Sequence, residues 1–201
     1  MSANKNMNYL YQDICINSST SSLLVICTTF FTKSYNCDNK QLSKLPYLLN
    51  SIEYLHCCNN KLSNLPELPK SLIQFKCTDN ELTNIPELPR TLKLFDCSYN
   101  KLYYLSELPD LLEFLHCEKN NLIELPKLPC LLIQISCFNN KLTELPELPV
   151  SLKLLWCFNN NIKYLSLNNC QIIKKCNDIK ILNNPVSINF TNNKDFIDNL
   201  D

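Results

Sequence analysis

The stretch "IEYLHCCNNKLSNLPELPKS", Ile52 to Ser71, decides the architecture because it returns. Residues 52 to 171 divide into six units of twenty, each matching L-x-x-L-x-C-x-x-N-x-L-x-x-L-P-x-L-P-x-x in most slots. Residues 32 to 51, "TKSYNCDNKQLSKLPYLLNS", form a degenerate unit in front, in which Cys37, Leu42 and Leu45 keep phase and the Asn is displaced to Asn39. A fixed period of this length with this consensus marks leucine-rich repeats.

Each slot has a physical reason. In "YLHC", "QFKC" and "LFDC" apolar residues alternate with variable ones, which is the period of a short strand with one buried face. Leu55 and Cys57 point inward, while Tyr54, His56 and Cys58 point outward. Asn60, Asn80, Asn100, Asn120, Asn140 and Asn160 never vary. A buried amide there can satisfy backbone groups left open where the chain leaves the strand. In "LPELP" the prolines remove donors and fix φ, so the segment is neither helix nor central strand. An extended, polyproline-like or 3₁₀ course puts Leu65 and Leu68 on one face and Glu67 outside. The expected fold is a leucine-rich repeat solenoid, with a parallel β-sheet on the concave face and extended or 3₁₀ segments on the convex face.

The remaining residues read as caps. Residues 1–31 form an N-terminal cap, in which "MNYLYQDICI" and "SSLLVICTTFF" are compatible with two short helices. Residues 32–171 are the repeats. In the last unit "LPELP" has become "LSLNN", with Asn168 in the place of a core leucine, and residues 172–201 are a C-terminal cap or tail.

Composition excludes several functions. Lys plus Arg and Asp plus Glu number 19 each, so no net field draws nucleic acid or an anionic membrane. Glycine is absent, which removes the P-loop and the dinucleotide fingerprint, both of which need it for close backbone approach to phosphate. The apolar run from Leu23 to Phe31 is too short to span a bilayer, which takes about 20 residues, and it lacks the flanks of a signal peptide. Seven of the 13 cysteines recur every twentieth residue from Cys37 to Cys157, a core slot and not a disulfide framework. The chain reads as intracellular and reduced. Cys58 and Cys130 fall outside the ladder and are the better thiol candidates, but no base accompanies them. Metal is not expected: there is no C-x-x-C, and His56 and His116 lie three coils apart, roughly 14 Å at strand spacing. No cofactor and no catalytic residue is expected.

A second period lies inside the first. "EYLHC" (53–57) recurs as "EFLHC" (113–117), "LIQFKC" (72–77) as "LIQISC" (132–137), and "LKLFDC" (92–97) as "LKLLWC" (152–157). Framework slots do not require Glu53/Glu113, His56/His116 or Gln74/Gln134, so a block of three coils has been duplicated.

The pattern "LPELPxSLxxLxCxxNxLxxLPELP" resembles the short LPxLP repeats of bacterial secreted effectors. The Cys-bearing strand, the Asn richness and the lack of glycine are also similar to leucine-rich repeat proteins of giant DNA viruses of the mimivirus type. The resemblance covers 32 to 171. It implies a curved solenoid that binds a protein, often inside a eukaryotic host cell, so the cytoplasm of a host is the expected location if the source is viral. Some effectors of this class carry a C-terminal ubiquitin-ligase domain. Cys170 and Cys176 do not match its motif, so no catalytic role carries over.

The expected function is therefore a non-catalytic module, a monomer, that docks a partner protein on its concave face. Phe114, Phe138, Leu154, Trp156 and Phe158 gather at the C-terminal end of the outward lanes, and exposed aromatics on such a surface are what binding hot spots use. His56, Lys76, Asp96 and Tyr99 add polar specificity. Residues 172–201 folding over the aromatic patch is the competing expectation. An alternative role is substrate-recognition adaptor of a ubiquitin ligase, since "SSLLVICTTFF" resembles the closing helix of an F-box without its Leu-Pro opening.

Overall fold

The computed structural model describes residues 33–163 and 165–175, together with the backbone of 178–180. The N-terminal cap, and with it the F-box-like segment, lies outside the described residues, as does 181–201. Eight three-residue strands form one parallel sheet in chain order. They are β1 Ser34–Asn36, β2 Tyr54–His56, β3 Gln74–Lys76, β4 Leu94–Asp96, β5 Phe114–His116, β6 Gln134–Ser136, β7 Leu154–Trp156 and β8 Asp178–Lys180. From β1 to β7 the register advances by twenty residues per strand, so Tyr54, Gln74, Leu94 and Phe114 stand side by side. The fold is the leucine-rich repeat solenoid expected.

The inward half of each strand builds the core. Leu55, Phe75, Phe95, Leu115, Ile135 and Leu155 are buried at the strand centres, and Phe75 stacks on Phe95 at 5.5 Å between ring centroids. Behind them run the buried cysteines 37 to 157, whose thiols are free. Burial pushes Cys37 and Cys157 up to about 12 and the five thiols between them well above the usual range. They behave as small hydrophobes, not nucleophiles. The "LPELP" segments carry no helix or strand, and leucines such as Leu68, Leu88 and Leu128 face the core from them.

The asparagine ladder ties each coil to the one before it. Asn100 Nδ2 donates to the carbonyls of Cys97, at 3.2 Å, and of Cys77 in the preceding coil, at 3.0 Å. Its Oδ1 accepts from the Leu82 amide at 3.0 Å. The same pattern recurs at Asn80, Asn120, Asn140 and Asn160. A second ladder runs along the turn before the strands and was not anticipated. Thr91 Oγ1 contacts the carbonyl oxygens of Lys70 and Leu72, and Ser151 Oγ those of Cys130 and Leu132.

Beside every ladder asparagine sits a residue with positive φ: Asn59, Asp79, Tyr99, Lys119, Asn139 and Asn159, all between 53° and 55°. Glycine is the default at such a backbone, and Asn or Asp the next choice. This chain has no glycine. Asn39, at φ 59°, occupies the same left-handed slot. It has therefore not been displaced from the ladder: it is in register with Asn59, and Lys40 stands where the ladder residue belongs.

The last unit departs from the others. Ser166 caps the helix α1, Leu167–Ile173, by accepting from the Asn169 amide. The helix changes which residue is buried. Asn168 is exposed and reaches Glu147 Oε2, whereas Asn169 is buried. Asn169 closes the preceding coil, with Oδ1 accepting from the Leu148 amide and Nδ2 donating to the Pro146 carbonyl. β8 then pairs with β7, so β7 is an interior strand.

Two stability predictions follow from these ladders. Asn100→Leu strands the Leu82 amide in the interior and takes one of two amide donors from each of the Cys77 and Cys97 carbonyls, which keep Asn80 and Asn120, so it lowers unfolding free energy by about 1–3 kcal/mol. Urea titration measures this, and a loss under about 1 kcal/mol contradicts the ladder. Conversely, Tyr99→Asn combined with Lys119→Asn relieves two left-handed backbones at about 1 kcal/mol or more each. It loses one exposed cation–π contact of about 0.5 kcal/mol. The double variant melts higher than the parent, with a gain of about 1.5 kcal/mol.

Candidate functional site

The open face of the sheet consists of side chains that the core does not use. Three lanes cross it, one from each end of the strands and one just beyond. His56, Lys76, Asp96, His116, Ser136 and Trp156 form the second lane, and each is the registered partner of the next. The third lane, after the strands, holds Cys58, Thr78, Ser98, Glu118, Phe138 and Phe158.

The aromatic residues do gather. Phe138 and Phe158 stack at 4.5 Å between centroids with an 8° tilt. Phe114, Leu154 and Trp156 lie in the neighbouring lanes. All five are half-buried. Trp156 is flanked by Ser136 of β6 and, through the backbone pairing, by position 180 of β8. Tyr99 is separate from this group. It sits in the left-handed turn past β4, 44% exposed, with Lys119 Nζ 4.4 Å from its ring centroid, which makes it a rim residue.

The polar residues gather in the middle of the face. Asp96 Oδ1 accepts from the Ser98 hydroxyl at 2.6 Å and from the Ser98 amide at 3.2 Å. Its Oδ2 lies 3.9 Å from Nδ1 of His116. Burial raises the Asp96 carboxyl, but the His116 ring and the hydroxyls of Ser98 and Thr78 outweigh it and bring it down to about 2. The same contact with Asp96 raises His116 against its own burial. Glu118, two residues further on, is pushed up by burial. Lys76 lies beside Asp96 in the lane. Glu118, Ser98, Gln134 and Ser136 belong to this cluster although only His56, Lys76, Asp96 and Tyr99 were expected as polar contacts. The signal for them was the lane order itself, which sets Asp96 next to His116.

His56 is not part of the cluster. It faces Gln74, with Nε2 3.0 Å from the Gln74 amide nitrogen, and burial lowers it. The thiols offer little chemistry. Cys58 is pushed up to about 11 by burial, with Asp38 adding to it. Cys130 is exposed in the turn before β6. Among the described residues, no three His, Cys, Asp or Glu side chains come together to hold a metal ion. None of the described helices is long and apolar enough to cross a membrane.

No protein-family model matches this chain, and no curated protein does. Solved structures do. YopM from Yersinia enterocolitica WA-314 is 33% identical over 66% of this chain and 34% of its own, with a TM-score of 0.55. A Shigella effector leucine-rich-repeat domain is 27% identical over 75% of this chain and 81% of its own, with a TM-score of 0.64. YopM from Yersinia pestis, a leucine-rich effector protein, is 31% identical over 74% and 48%, with a TM-score of 0.59. The chain spans about a third of the first of these and about half of the last. It is a leucine-rich repeat solenoid similar to the repeat regions of these bacterial effectors.

Proposed function

We propose that this protein is a non-catalytic interaction module that docks a partner protein on the concave face of its sheet. One observation carries the reading. The aromatic cluster occupies slots that the scaffold leaves free, and the other copy of the duplicated block fills three of them with polar residues. Thr78 corresponds to Phe138, Ser98 to Phe158 and Asp96 to Trp156. The framework is satisfied either way, so the aromatic side chains are not needed for folding. Half-buried, mutually packed aromatics in a row, next to charged groups, have the makeup of a binding hot spot with its polar surround.

In this reading Phe138, Phe158 and Trp156 anchor the partner, Phe114 and Leu154 extend the apolar floor, and Asp96, Lys76 and His56 set register. Tyr99 contacts the partner only if it reaches the rim. The likeness to effector repeat domains supports a protein as the ligand. Seven free core thiols suit a reducing compartment. The Cys-bearing strand and the absence of glycine favour a giant-virus source, with the host cytoplasm as the place of action. The module works as a monomer.

Affinity capture from host-cell lysate with the parent, Trp156→Ala and Phe158→Ala proteins tests this. Each substitution weakens the recovered complex by about 2 kcal/mol or more, measured by calorimetry on the identified partner, while far-ultraviolet circular dichroism is unchanged. A partner held equally well by both folded variants removes the aromatic cluster from the site.

A further inference from the structure

The duplicated block supplies a natural comparison between its two histidines, the only two in the chain. His56 and His116 occupy the same slot in their copies. Each places Nε2 3.0 Å from the side-chain amide nitrogen of the glutamine in the next coil, Gln74 or Gln134. The exposed ion pairs beside them also repeat, Lys33 with Glu53 at 2.8 Å and Lys93 with Glu113 at 3.0 Å. What differs is the rung on either side. His56 pairs in register with Asn36 before it and Lys76 after it. His116 pairs with Asp96 before it and Ser136 after it. Along the lane one histidine therefore lies between a neutral amide and a cation, with the Asp38 carboxylate beyond Asn36 outweighed by burial and Lys76, and the other lies between a carboxylate and a neutral hydroxyl.

We propose that His116, and not its duplicate His56, is a proton-operated element at the centre of the concave face. The groups that face it can be counted from each side. β4 contributes Asp96, held toward the ring by its bonds to Ser98. β3 contributes Lys76, one rung further, and the chain beyond β5 contributes Glu118. β6 contributes the neutral Gln134 and Ser136. With the ring protonated, two cations, Lys76 and His116, stand against two carboxylates, Asp96 and Glu118. Loss of the proton leaves two carboxylates and one cation beside the aromatic floor. A partner covering that surface would then bury a carboxylate without its counter-charge, which is costly in a dry interface. Docking is thus favoured below the His116 titration and weakened as pH rises through it.

The linkage to stability has the same sign. The folded His116 binds its proton more tightly than the unfolded chain does, because Asp96 favours the charged ring. The stabilisation is full below the usual histidine value of about 6.5 and is lost as pH rises through the higher folded value. The depressed Asp96 carboxyl loses its contribution only in acid, as pH falls from about 4 toward 2.

The consequence for docking rests on the reading of this face as the binding surface, but the switch itself is measured on the isolated protein. Imidazole nitrogen and carbon resonances of the two histidines, followed by NMR from pH 5 to 9, give two separate titrations. His116 titrates above the usual histidine value and His56 below it. Asp96→Asn gives His116 the neutral neighbour that His56 has, and brings its titration down toward that of His56. The reciprocal Asn36→Asp raises the His56 titration, by less, because position 36 is exposed and water screens the pair. Coincident titrations in the parent, or a His116 titration unmoved by Asp96→Asn in a folded protein, overturn the proposal. A partner that binds independently of pH, with the two titrations split as expected, would refute only the link to docking.

Discussion

Everything in this solenoid depends on one side-chain amide per coil. A twenty-residue coil is too short to enclose a core of its own, and its strand is only three residues long. Each strand leaves the carbonyl of its cysteine pointing inward, with no helix to take it up. The asparagine beside it donates to that carbonyl and to the equivalent one of the coil before, and accepts from that coil's leucine amide. The ladder therefore joins neighbours at the point where the interior is driest and unsatisfied polar groups cost most. Stability along such a stack is carried by nearest-neighbour interfaces, so a broken rung loosens two coils and not one.

Much of this was legible in the residues. The twenty-residue period, the alternation around Leu55 and Cys57 and the unvarying asparagine each have a local cause, and local causes leave a pattern in one chain. The left-handed turn was not legible, because glycine normally marks it and this chain has none. Tyr99 and Lys119 show nothing of their backbone in their identity, and Asn39 in that slot reads as a ladder residue out of phase. Helix α1 was missed for a related reason. "LSLNN" reads as a decayed Leu-Pro segment, and only the cap from Ser166 turns it into a helix that buries Asn169 and exposes Asn168.

The site was legible as positions but not as chemistry. Reading the strands coil by coil already orders the second lane as Lys76, Asp96, His116 and Ser136. What the order does not convey is distance and burial. At about 4.8 Å between strands, neighbours in a lane are within reach of one another while residues two rungs apart interact only through charge. His116 read by itself is a surface histidine. With the Asp96 carboxylate 3.9 Å away and Ser98 fixing that carboxylate, its charge becomes a property of the pair. The stacking of Phe138 on Phe158 is likewise a matter of distance and tilt, which the order of residues in the third lane does not convey.

A duplicated scaffold separates what folding needs from what the surface does. The ladder asparagines, the cysteines and the leucines hold in both blocks because every coil is a neighbour of another. The open lanes carry no such constraint, and there the blocks have diverged in a concerted way. Where one copy carries Asp96, Thr78 and Ser98, the other carries Trp156, Phe138 and Phe158. The carboxylate at 96 is also the one that distinguishes the surroundings of His116 from those of His56. The polar and aromatic halves thus meet at β5, between Asp96 on one side and Phe138 on the other. In the proposed docking, a partner lying across the face would meet both kinds of surface within two or three strands, and the charge of His116 would bear on the contact at its centre and not at its edge.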